Sequence, residues 1–370
     1  MTRKERMWAA LRGEPVDRVP FATYNLHPYR NSPHRQDESY RELLDLVVEK
    51  AGMVCKCGVK AQVAGTETVP QERLEVTVDR TAERTVTRHT LHTPKGDLVS
   101  VTLTPRGQPS RVTEPFLKTD EDIDRYLSLP FTPPQYDISE AVAFYEELGD
   151  RGLLYIHYSD PLYAAASLFD FEDFTVRCAT DPGPVKRLVD HLFEQILEQT
   201  RNLLAACAGY DFLFYTAGPE VATPPMMSPQ AFQTFVTPYQ TRLIEIIHQA
   251  GQVAAIHCHG RVRAVLDEIV KTGADVLEPL EPPPQGDISL AELLERVGDR
   301  LSLMGYIQDQ EFYTAPPGTM ARRVADIAAL VNGRSRYLMT PTCTPFQHPA
   351  DETYRRNYAE WIEAADRLLA

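Results

Sequence analysis

From residue 138 onward the sequence repeats one unit, in which a short apolar run is followed by a stretch of helical periodicity. The apolar runs lie at residues 153–158, 211–215, 252–258, 274–277, 301–306 and 336–339, and the helical patterns lie at 184–208, 228–250, 261–272, 289–298 and 318–332. Strands that alternate with helices form parallel βαβ units. Two earlier runs, 19–24 and 53–57, make eight strands, and no Gly-x-Gly-x-x-Gly follows a strand. The sequence therefore predicts an α/β fold, a closed (β/α)8 TIM barrel, and disfavours an open doubly wound sheet.

Residues 66–115 have a different pattern, in which Val, Leu and Thr alternate with charged residues. Leu74-Glu-Val-Thr-Val and Thr85-Val-Thr-Arg-His-Thr-Leu show it, and it resumes at Leu98-Val-Ser-Val-Thr-Leu after the turn Pro94-Lys-Gly-Asp. Alternation of period two around a turn that contains glycine is typical of a β-hairpin. We expect an antiparallel β-hairpin insertion at about residues 66–115, within a single barrel domain that spans residues 1–370.

The charge and cysteine content exclude several classes of protein. The formal net charge of −14 disfavours nucleic acid and anionic membrane surfaces as partners. No apolar run approaches the roughly 18 residues of a membrane span, and the N-terminus lacks the apolar segment of a signal peptide. The six cysteines are too sparse for a disulfide framework. We therefore expect a cytoplasmic protein, and the sequence leaves homodimer formation open.

Polar and aromatic residues follow the predicted strands at their C-terminal ends, where the βα loops of a TIM barrel hold the active site. In chain order these residues are Tyr24, Asn25, Asp160, Glu220, His257, His259, Glu278, Glu281, Tyr306, Asp309 and Cys343. The first two, together with the strand residue Tyr158, are candidates to line a substrate pocket. Asp160, Tyr306 and Asp309 are candidates to orient the substrate or to deliver a proton.

The segment His257-Cys258-His259-Gly260 is the most specific of these features. Residues i and i+2 of a strand point to the same side, so both imidazoles are expected to project together. A thiolate from Cys343 and a carboxylate from Glu220 would complete a set of N, S and O ligands that suits tetrahedral zinc. Two structural alternatives stay open. A His-x-His pair also occurs as a hydrogen-bonded pair without a metal, and a single cysteine often serves as a small buried apolar residue.

Several motifs together resemble the uroporphyrinogen decarboxylase superfamily. They are the opening Arg3-Lys-Glu-Arg-Met-Trp-Ala-Ala-Leu-Arg-Gly-Glu-Pro-Val-Asp-Arg-Val-Pro, Ser228-Pro-Gln-Ala-Phe with the later Pro238-Tyr239, the strand that ends in His and Gly, the stretch 262–273 and Glu278-Pro. The resemblance covers nearly the whole chain and implies a (β/α)8 barrel. The decarboxylases of this superfamily carry an early Arg-Gln-Ala-Gly-Arg-Tyr stretch that binds carboxylates. Here Tyr24-Asn-Leu-His-Pro-Tyr-Arg stands after the first strand, which puts decarboxylation in doubt.

A second branch of that superfamily comprises zinc methyltransferases that exchange methyl groups with a corrinoid protein, and their motif is His-x-Cys-Gly with a later Cys. His257, Gly260 and Cys343 match this motif, whereas His259 stands where the first Cys would be. The resemblance thus implies zinc and a corrinoid (cobalamin) supplied by a partner protein. An imidazole in place of a thiolate leaves the zinc more positive and makes it a stronger Lewis acid. The exchange favours an O-demethylase that takes a methyl group from a methoxylated, aromatic small molecule.

Three other functions stay open. A decarboxylase of a tetrapyrrole or related carboxylated substrate would need arginines that converge on the pocket, and Arg30, Arg35 and Arg41 are the early candidates. A methyltransferase of the same branch would move a methyl group from a methyl-corrinoid to a thiol coenzyme. A protein without catalytic activity would bind a methylated ligand or a corrinoid protein and release it unchanged.

Overall fold

The computed structural model describes residues 1–61 and 70–369, and its centre is a closed barrel of eight parallel strands. In chain order the barrel strands are β1 (Ala22–Tyr24), β2 (Gly52–Lys56), β3 (Gly152–Tyr158), β4 (Leu213–Ala217), β5 (Val253–His257), β6 (Val276–Leu280), β7 (Ser302–Ile307) and β8 (Tyr337–Pro341). Each strand pairs in parallel with the next. A parallel bridge between Phe21 and Met339 joins the last strand to the first. The predicted (β/α)8 barrel is confirmed.

Helices surround the barrel, and most of them follow a strand as the sequence predicts. They are α1 (Arg3–Arg12), α2 (Arg41–Lys50), α3 (Asp120–Tyr126), α4 (Ser139–Leu148), α5 (Pro161–Ala166), α6 (Phe171–Thr180), α7 (Pro182–Ala206), α8 (Pro229–Phe235), α9 (Thr237–Gln249), α10 (Leu266–Lys271), α11 (Leu290–Val297), α12 (Asp309–Thr314), α13 (Thr319–Val331) and α14 (Glu352–Leu368). Their apolar faces pack on the outer side of the sheet and form the larger of two buried clusters.

The smaller cluster fills the barrel interior and includes one helix. α1 begins with a capping box at Thr2 and ends at Gly13, whose φ of 75° suits a residue without a Cβ. Its Met7, Trp8 and Leu11 are buried together with inward-facing strand residues. α1 therefore packs against the barrel interior and closes its N-terminal end.

The predicted insertion is an antiparallel sheet of four strands, which is more than the single hairpin expected. The strands are Leu74–Arg80, Arg84–Leu91, Leu98–Pro105 and Arg111–Glu114, and they pair in chain order. The sheet lies between β2 and β3 in the chain. Residues 66–69 of the predicted insertion lie outside the described residues, so its exact limits and the single-domain assignment stay predictions. In the ranges 1–61 and 70–369 no helix is long and apolar enough to cross a membrane.

Candidate metal and active site at the barrel mouth

His257 is the last residue of β5 and lies on the inner face of the barrel, in line with Val253 and Ala255. Its Nδ1 is 2.6 Å from Oε2 of Glu278, whose side chain is fully buried. The hydroxyl of Tyr215 donates to the same carboxylate oxygen. A carboxylate only accepts hydrogen bonds, so it places the imidazole proton on Nδ1 and the lone pair on Nε2. Among the described residues, Nε2 of His257 has no hydrogen-bond partner.

His259 follows two residues later, and its ring meets that of His257 edge to face, with centroids 4.5 Å apart. Its Nδ1 is 3.3 Å from Oε2 of Glu281, and the same oxygen accepts the backbone N–H of Gly260 at 2.7 Å. Burial lowers the pKa of His259, but the hydrogen bond and charge of Glu281 outweigh it, so the pKa lies above its ordinary value. The His259 side chain is 42% exposed and that of His257 is 14% exposed, so His259 is the more open of the two.

These two carboxylate–imidazole pairs fit a metal ion. A carboxylate that binds one ring nitrogen fixes the ring and the tautomer of a metal-binding histidine and leaves the other nitrogen as the ligand. His257 with Glu278 and His259 with Glu281 both have this arrangement. In addition, Oε1 of Glu278 is buried without a hydrogen-bond partner in the described part of the chain. The site therefore offers two imidazole nitrogens side by side in a setting that suits zinc.

The other two predicted ligands lie in neighbouring loops. Cys343 lies in the loop after β8 and is exposed, whereas the other five cysteines are buried. Partial burial and the negative charges of Asp309, Glu278 and Glu281 raise the pKa of its thiol. Glu220 follows β4, and its Oε2 accepts the backbone N–H of Gly218 at 2.8 Å. The negative charge of Glu220 also raises the pKa of His259.

The described residues contain no group of three or more His, Cys, Asp or Glu side chains that is already arranged to hold a metal. The structure thus brings His257 and His259 together but does not add Cys343 and Glu220 to them in one cluster. A side-chain thiol at an exposed loop position changes rotamer at low cost, because it has a single rotatable bond to the backbone. The four-ligand set of Glu220, His257, His259 and Cys343 stays a prediction.

The predicted catalytic carboxyls are both buried. Asp160 is the N-cap of α5, where its carboxylate accepts the N–H of Tyr163 at 2.7 Å and the amide of Gln240 at 2.6 Å. Asp309 begins α12, and its Oδ1 has no partner among the described residues. Burial raises the pKa of each carboxyl to about 7. Asp160 thus has a clear structural role, whereas one carboxyl oxygen of Asp309 is unpaired in the described part of the chain, and the charge of Asp309 acts on Cys343.

Two predicted residues face away from the barrel interior. Tyr158 packs in the outer cluster, where its hydroxyl donates to Gln240 at 3.1 Å. Tyr306 has a φ of 79°, and its hydroxyl accepts the backbone N–H of Leu290 at the start of α11. Both side chains therefore contact the helices that surround the sheet, and their roles in substrate binding or catalysis stay untested predictions.

Tyr24 and Asn25, the other predicted pocket residues, belong to a polar layer that crosses the barrel. The hydroxyl of Tyr24 lies 2.9 Å from that of Tyr215 and accepts from Tyr155 at 3.2 Å. Asn25 donates to Tyr155 and to Thr344, in each case at 2.9 Å. Tyr24 is 7% exposed, so the layer is nearly closed from solvent. A direct substrate contact of either residue stays a prediction.

Sequence reasoning did not assign roles to four residues that complete this layer: Tyr155, His157, Tyr215 and Glu278. The ring of His157 is tilted against that of Tyr155 and meets that of Tyr215 edge to face, with centroids 5.5 Å and 5.0 Å away. Burial lowers its pKa to about 4, so this imidazole stays neutral. Spacing by two along β3 relates Tyr155 to His157 and would have indicated a shared face.

Comparisons with known proteins concern the family and the fold of the chain. Residues 99–365 match the family model described as uroporphyrinogen decarboxylase (URO-D). A stretch of 149 residues is 30% identical to the methylcobamide:CoM methyltransferase MtaA of Methanosarcina barkeri, which is 38% of this chain and 40% of that protein. The matched stretch thus spans less than half the length of that relative. The structure of a methyltransferase from Methanosarcina mazei superposes over all of both chains, with a TM-score of 0.62 at 17% sequence identity, and this likeness concerns the fold.

Proposed function

Because this chain belongs to the uroporphyrinogen decarboxylase family, whose fold and motifs it shares, we propose that it is a corrinoid-dependent methyltransferase. Its substrate is a methoxylated, aromatic small molecule, and the acceptor is a corrinoid carried by a partner protein. The similarity to a methylcobamide:CoM methyltransferase over 149 residues supports the general reaction class. The expected resemblance to this superfamily is confirmed, and the activity is our proposal.

The observation that carries the proposal is the pair of imidazoles at the mouth. His257 and His259 have adjacent rings, and each Nδ1 faces a carboxylate. A bound zinc supplies Lewis acidity, which stabilises negative charge that develops on a substrate oxygen. Two neutral nitrogens and one sulfur, from Cys343, leave more positive charge on such an ion than a set with two thiolates would. The ligand set therefore favours an oxygen leaving group over a sulfur nucleophile.

The residues around the imidazoles prepare the site for this chemistry. Glu278 and Tyr215 fix the His257 ring from inside the barrel, so that it does not reorient when a substrate arrives. The tyrosine layer below forms a polar floor that is nearly closed to bulk solvent. Tyr24 and His157 lie in this floor and are suited to contact an aromatic ring.

Asp309 is suited to supply the proton that the reaction consumes. When the methyl–oxygen bond breaks, its electron pair stays on the oxygen, and a proton is needed to give the neutral alcohol or phenol. Burial raises the pKa of Asp309 to about 7, so a large fraction of this carboxyl is protonated at neutral pH. A proton donor works best when its pKa is near the working pH.

The named relative supports a second candidate, transfer of a methyl group from a methyl-corrinoid to a thiol coenzyme. The exchange of a thiolate for His259 disfavours it, because a thiol acceptor is activated best by an electron-rich zinc. The decarboxylase alternative has less support. Arg30 forms an ion pair with Glu147 and Arg41 forms one with Glu38, so these two early arginines already pair with acidic side chains of the protein.

Methyl transfer to free cob(I)alamin tests the proposal directly. We expect purified, zinc-loaded protein to convert cob(I)alamin to methylcob(III)alamin with methoxylated aromatic compounds, as followed by the visible spectrum. The variant His259→Cys should keep zinc but shift the preference from ethers to thiols, since it restores a thiolate. Transfer that occurs only between methylcobalamin and thiols would support the second candidate. No transfer in either direction with stoichiometric zinc would contradict both.

A further inference from the structure

One amide side chain joins the loop of Cys343 to the barrel interior. Asn25, just after β1, donates one hydrogen bond to Thr344 Oγ1 and another to Tyr155 OH, each 2.9 Å long. Its Oδ1 accepts the backbone N–H of Lys56 at 2.7 Å. A backbone N–H can only donate, so this third bond fixes which end of the amide is oxygen. Thr344 is the next residue after Cys343, so Asn25 binds the loop directly beside the thiol.

From Tyr155 a chain of hydroxyl groups continues to His257. Tyr155 donates to Tyr24 at 3.2 Å, and the hydroxyls of Tyr24 and Tyr215 are 2.9 Å apart. Tyr215 then donates to Oε2 of Glu278, and this oxygen also faces Nδ1 of His257 at 2.6 Å. The chain thus ends on the carboxylate that orients the imidazole.

The direction of every bond in the chain follows from its two ends. Asn25 gives its hydrogens to the oxygens of Tyr155 and Thr344, so the Tyr155 hydroxyl is free to donate onward. Each tyrosine in turn passes its hydrogen to the next oxygen. The carboxylate of Glu278 only accepts, so the last hydroxyl and the imidazole both donate to it. Hydrogen bonds that run in one direction polarise one another and strengthen the whole chain.

The segment from residue 25 to residue 40 also holds the rest of the Cys343 loop. His34 Nε2 lies 3.0 Å from the carbonyl oxygen of Pro345, and the Tyr40 hydroxyl donates to the carbonyl of Gln347 at 2.9 Å. Asp37 Oδ2 lies 3.0 Å from Nδ1 of His348, and Ser39 Oγ accepts the backbone N–H of Ala350 at 2.8 Å. Among these described residues of the segment, Asn25 differs from His34, Asp37, Ser39 and Tyr40 because its amide also bonds to Tyr155 in the barrel interior. Asn25 is therefore the junction between the loop and the imidazole side of the site.

We propose that Asn25 is a positioning residue that couples the cysteine side of the metal site to its histidine side. This inference rests on the proposed metal site, and it gives Asn25 a role that does not require the direct substrate contact predicted from the sequence. Both donor hydrogens and the acceptor oxygen of its amide are engaged within the protein. Through Thr344 it sets the position of the thiol, and through the tyrosines it stabilises the carboxylate behind His257.

Zinc affinity of the Asn25→Gly variant tests this coupling. Glycine adopts the φ of 54° found at this position without strain, so the change removes the amide and not the backbone conformation. We expect zinc affinity, measured against a competing chelator, to fall about 10- to 100-fold, as for other outer partners of metal ligands. With cobalt(II) in place of zinc, the thiolate-to-cobalt absorption should weaken, which reports the cysteine side independently of activity.

Two further variants divide the effect. Thr344→Val removes only the bond to the loop and should weaken the thiolate absorption of the cobalt form. Tyr155→Phe keeps the bond to the loop but removes both bonds of the Tyr155 hydroxyl, from Asn25 and to Tyr24, and should lower the affinity while that absorption is kept. These two variants test the coupling if Asn25→Gly does not fold, as judged by thermal unfolding of the metal-free protein. Asn31→Gly is the matched control, since Asn31 lies in the same segment, is exposed and has a φ of 64°.

Wild-type protein that binds no zinc would overturn the metal site and the coupling together. Wild-type protein that binds zinc, with Asn25→Gly within twofold of it in affinity and equal in cobalt absorption, would overturn the coupling alone. A loss in Asn31→Gly as large as that in Asn25→Gly would also overturn it, because any change in the segment would then have the same effect.

Discussion

The two ends of the barrel are formed by the same strands but hold different kinds of side chain. Near the N-terminal end the inward-facing residues are apolar, and Leu153, Leu213 and Val253 belong to the same buried cluster as Leu11 of α1. Further along these strands, after one or two more inward-facing positions, the inward-facing side chains become polar. His157 and the tyrosine layer are examples. The change from aliphatic to titratable side chains therefore occurs within about 7 to 14 Å along a strand.

This difference indicates that the closed N-terminal end contributes to stability and that the open C-terminal end contributes to chemistry. The closed end buries mostly apolar side chains, such as Leu11, Leu153 and Leu213. The open end buries carboxyl groups whose oxygens are unpaired among the described residues, namely Glu278 Oε1 and Asp309 Oδ1. Unpaired buried carboxyl oxygens lower stability unless a ligand or ion compensates. We therefore expect changes at the closed end to affect unfolding, and changes at the open end to affect metal binding.

The largest effect is expected at the closed end, from Leu11→Ala. Leu11 is fully buried in the interior cluster, so the change should lower the free energy of unfolding by about 2–5 kcal/mol. Chemical denaturation measures this. Leu330→Ala is the control, since Leu330 lies on α13 and is 40% exposed. Zinc affinity of the folded variant should equal that of wild type, and a parallel loss of zinc would mean that the two ends are not independent.

His259→Ala should show the converse behaviour. Structural zinc binding is worth about 10–16 kcal/mol over four ligands, so one ligand contributes roughly 2.5–4 kcal/mol, or about 100- to 1,000-fold in affinity. The fold should be intact, because this side chain is 42% exposed at the mouth. His248→Ala is a matched control at the opposite end, where His248 is 41% exposed and pairs with Asp275 at 2.8 Å. Stoichiometric, tightly bound zinc in His259→Ala would refute its role as a ligand.

Glu278→Gln changes the support of an imidazole and should have a smaller effect. An amide can donate to Nδ1 of His257, which would move the ring proton to Nε2 and block the ligand nitrogen. We expect zinc affinity to fall about 10- to 100-fold, measured by chelator competition. Glu268→Gln, another buried glutamate that lies on α10, is the control. Equal affinities of the two variants would contradict the proposed tautomer.

Asp309→Asn should have the smallest effect, and the effect should depend on pH. Burial raises the pKa of Asp309 to about 7 in the folded protein. The protonated carboxyl of Asp309 therefore contributes its full stability below the pKa that it has in the unfolded chain, and this contribution is lost as the pH rises through about 7. At pH 8 the neutral variant should be more stable than wild type by at least about 1 kcal/mol, and near pH 4 the two should be equal. Thermal unfolding across this pH range measures the difference, with the exposed Asp326→Asn as control. Parallel pH profiles of wild type and Asp309→Asn would refute the raised pKa.

The sequence was sufficient to predict the barrel, because each buried strand is an apolar run bounded by helical periodicity. All eight predicted strands are present, with ends that differ by up to three residues. For β5 the inner face was also predictable, since Val253 and Ala255 are small and the next position on that face is His257. The insertion has more strands than expected because the alternation continues beyond the turn at Gly96 into Arg111–Glu114.

The sequence was less informative about which residues of β3 and β7 face the site. β3 is nearly completely buried on both faces, so no alternation of polar and apolar residues distinguishes His157 from Tyr158. A shift of one residue exchanges the two faces, and the structure places His157 inside. In β7 the left-handed backbone at Tyr306 and the irregular pairing with β6 redirect the side chain towards α11. Such local departures from a regular strand leave no pattern in the sequence.

X-ray absorption at the zinc edge tests the central claim, that nitrogens of His257 and His259 and the sulfur of Cys343 bind one ion. For zinc-loaded wild-type protein we predict nitrogen or oxygen neighbours at about 2.0–2.1 Å and one sulfur at about 2.3 Å. In Cys343→Ser the sulfur shell should disappear while the lighter neighbours are retained. A wild-type spectrum without sulfur, or a sulfur shell that persists in Cys343→Ser, would contradict the account.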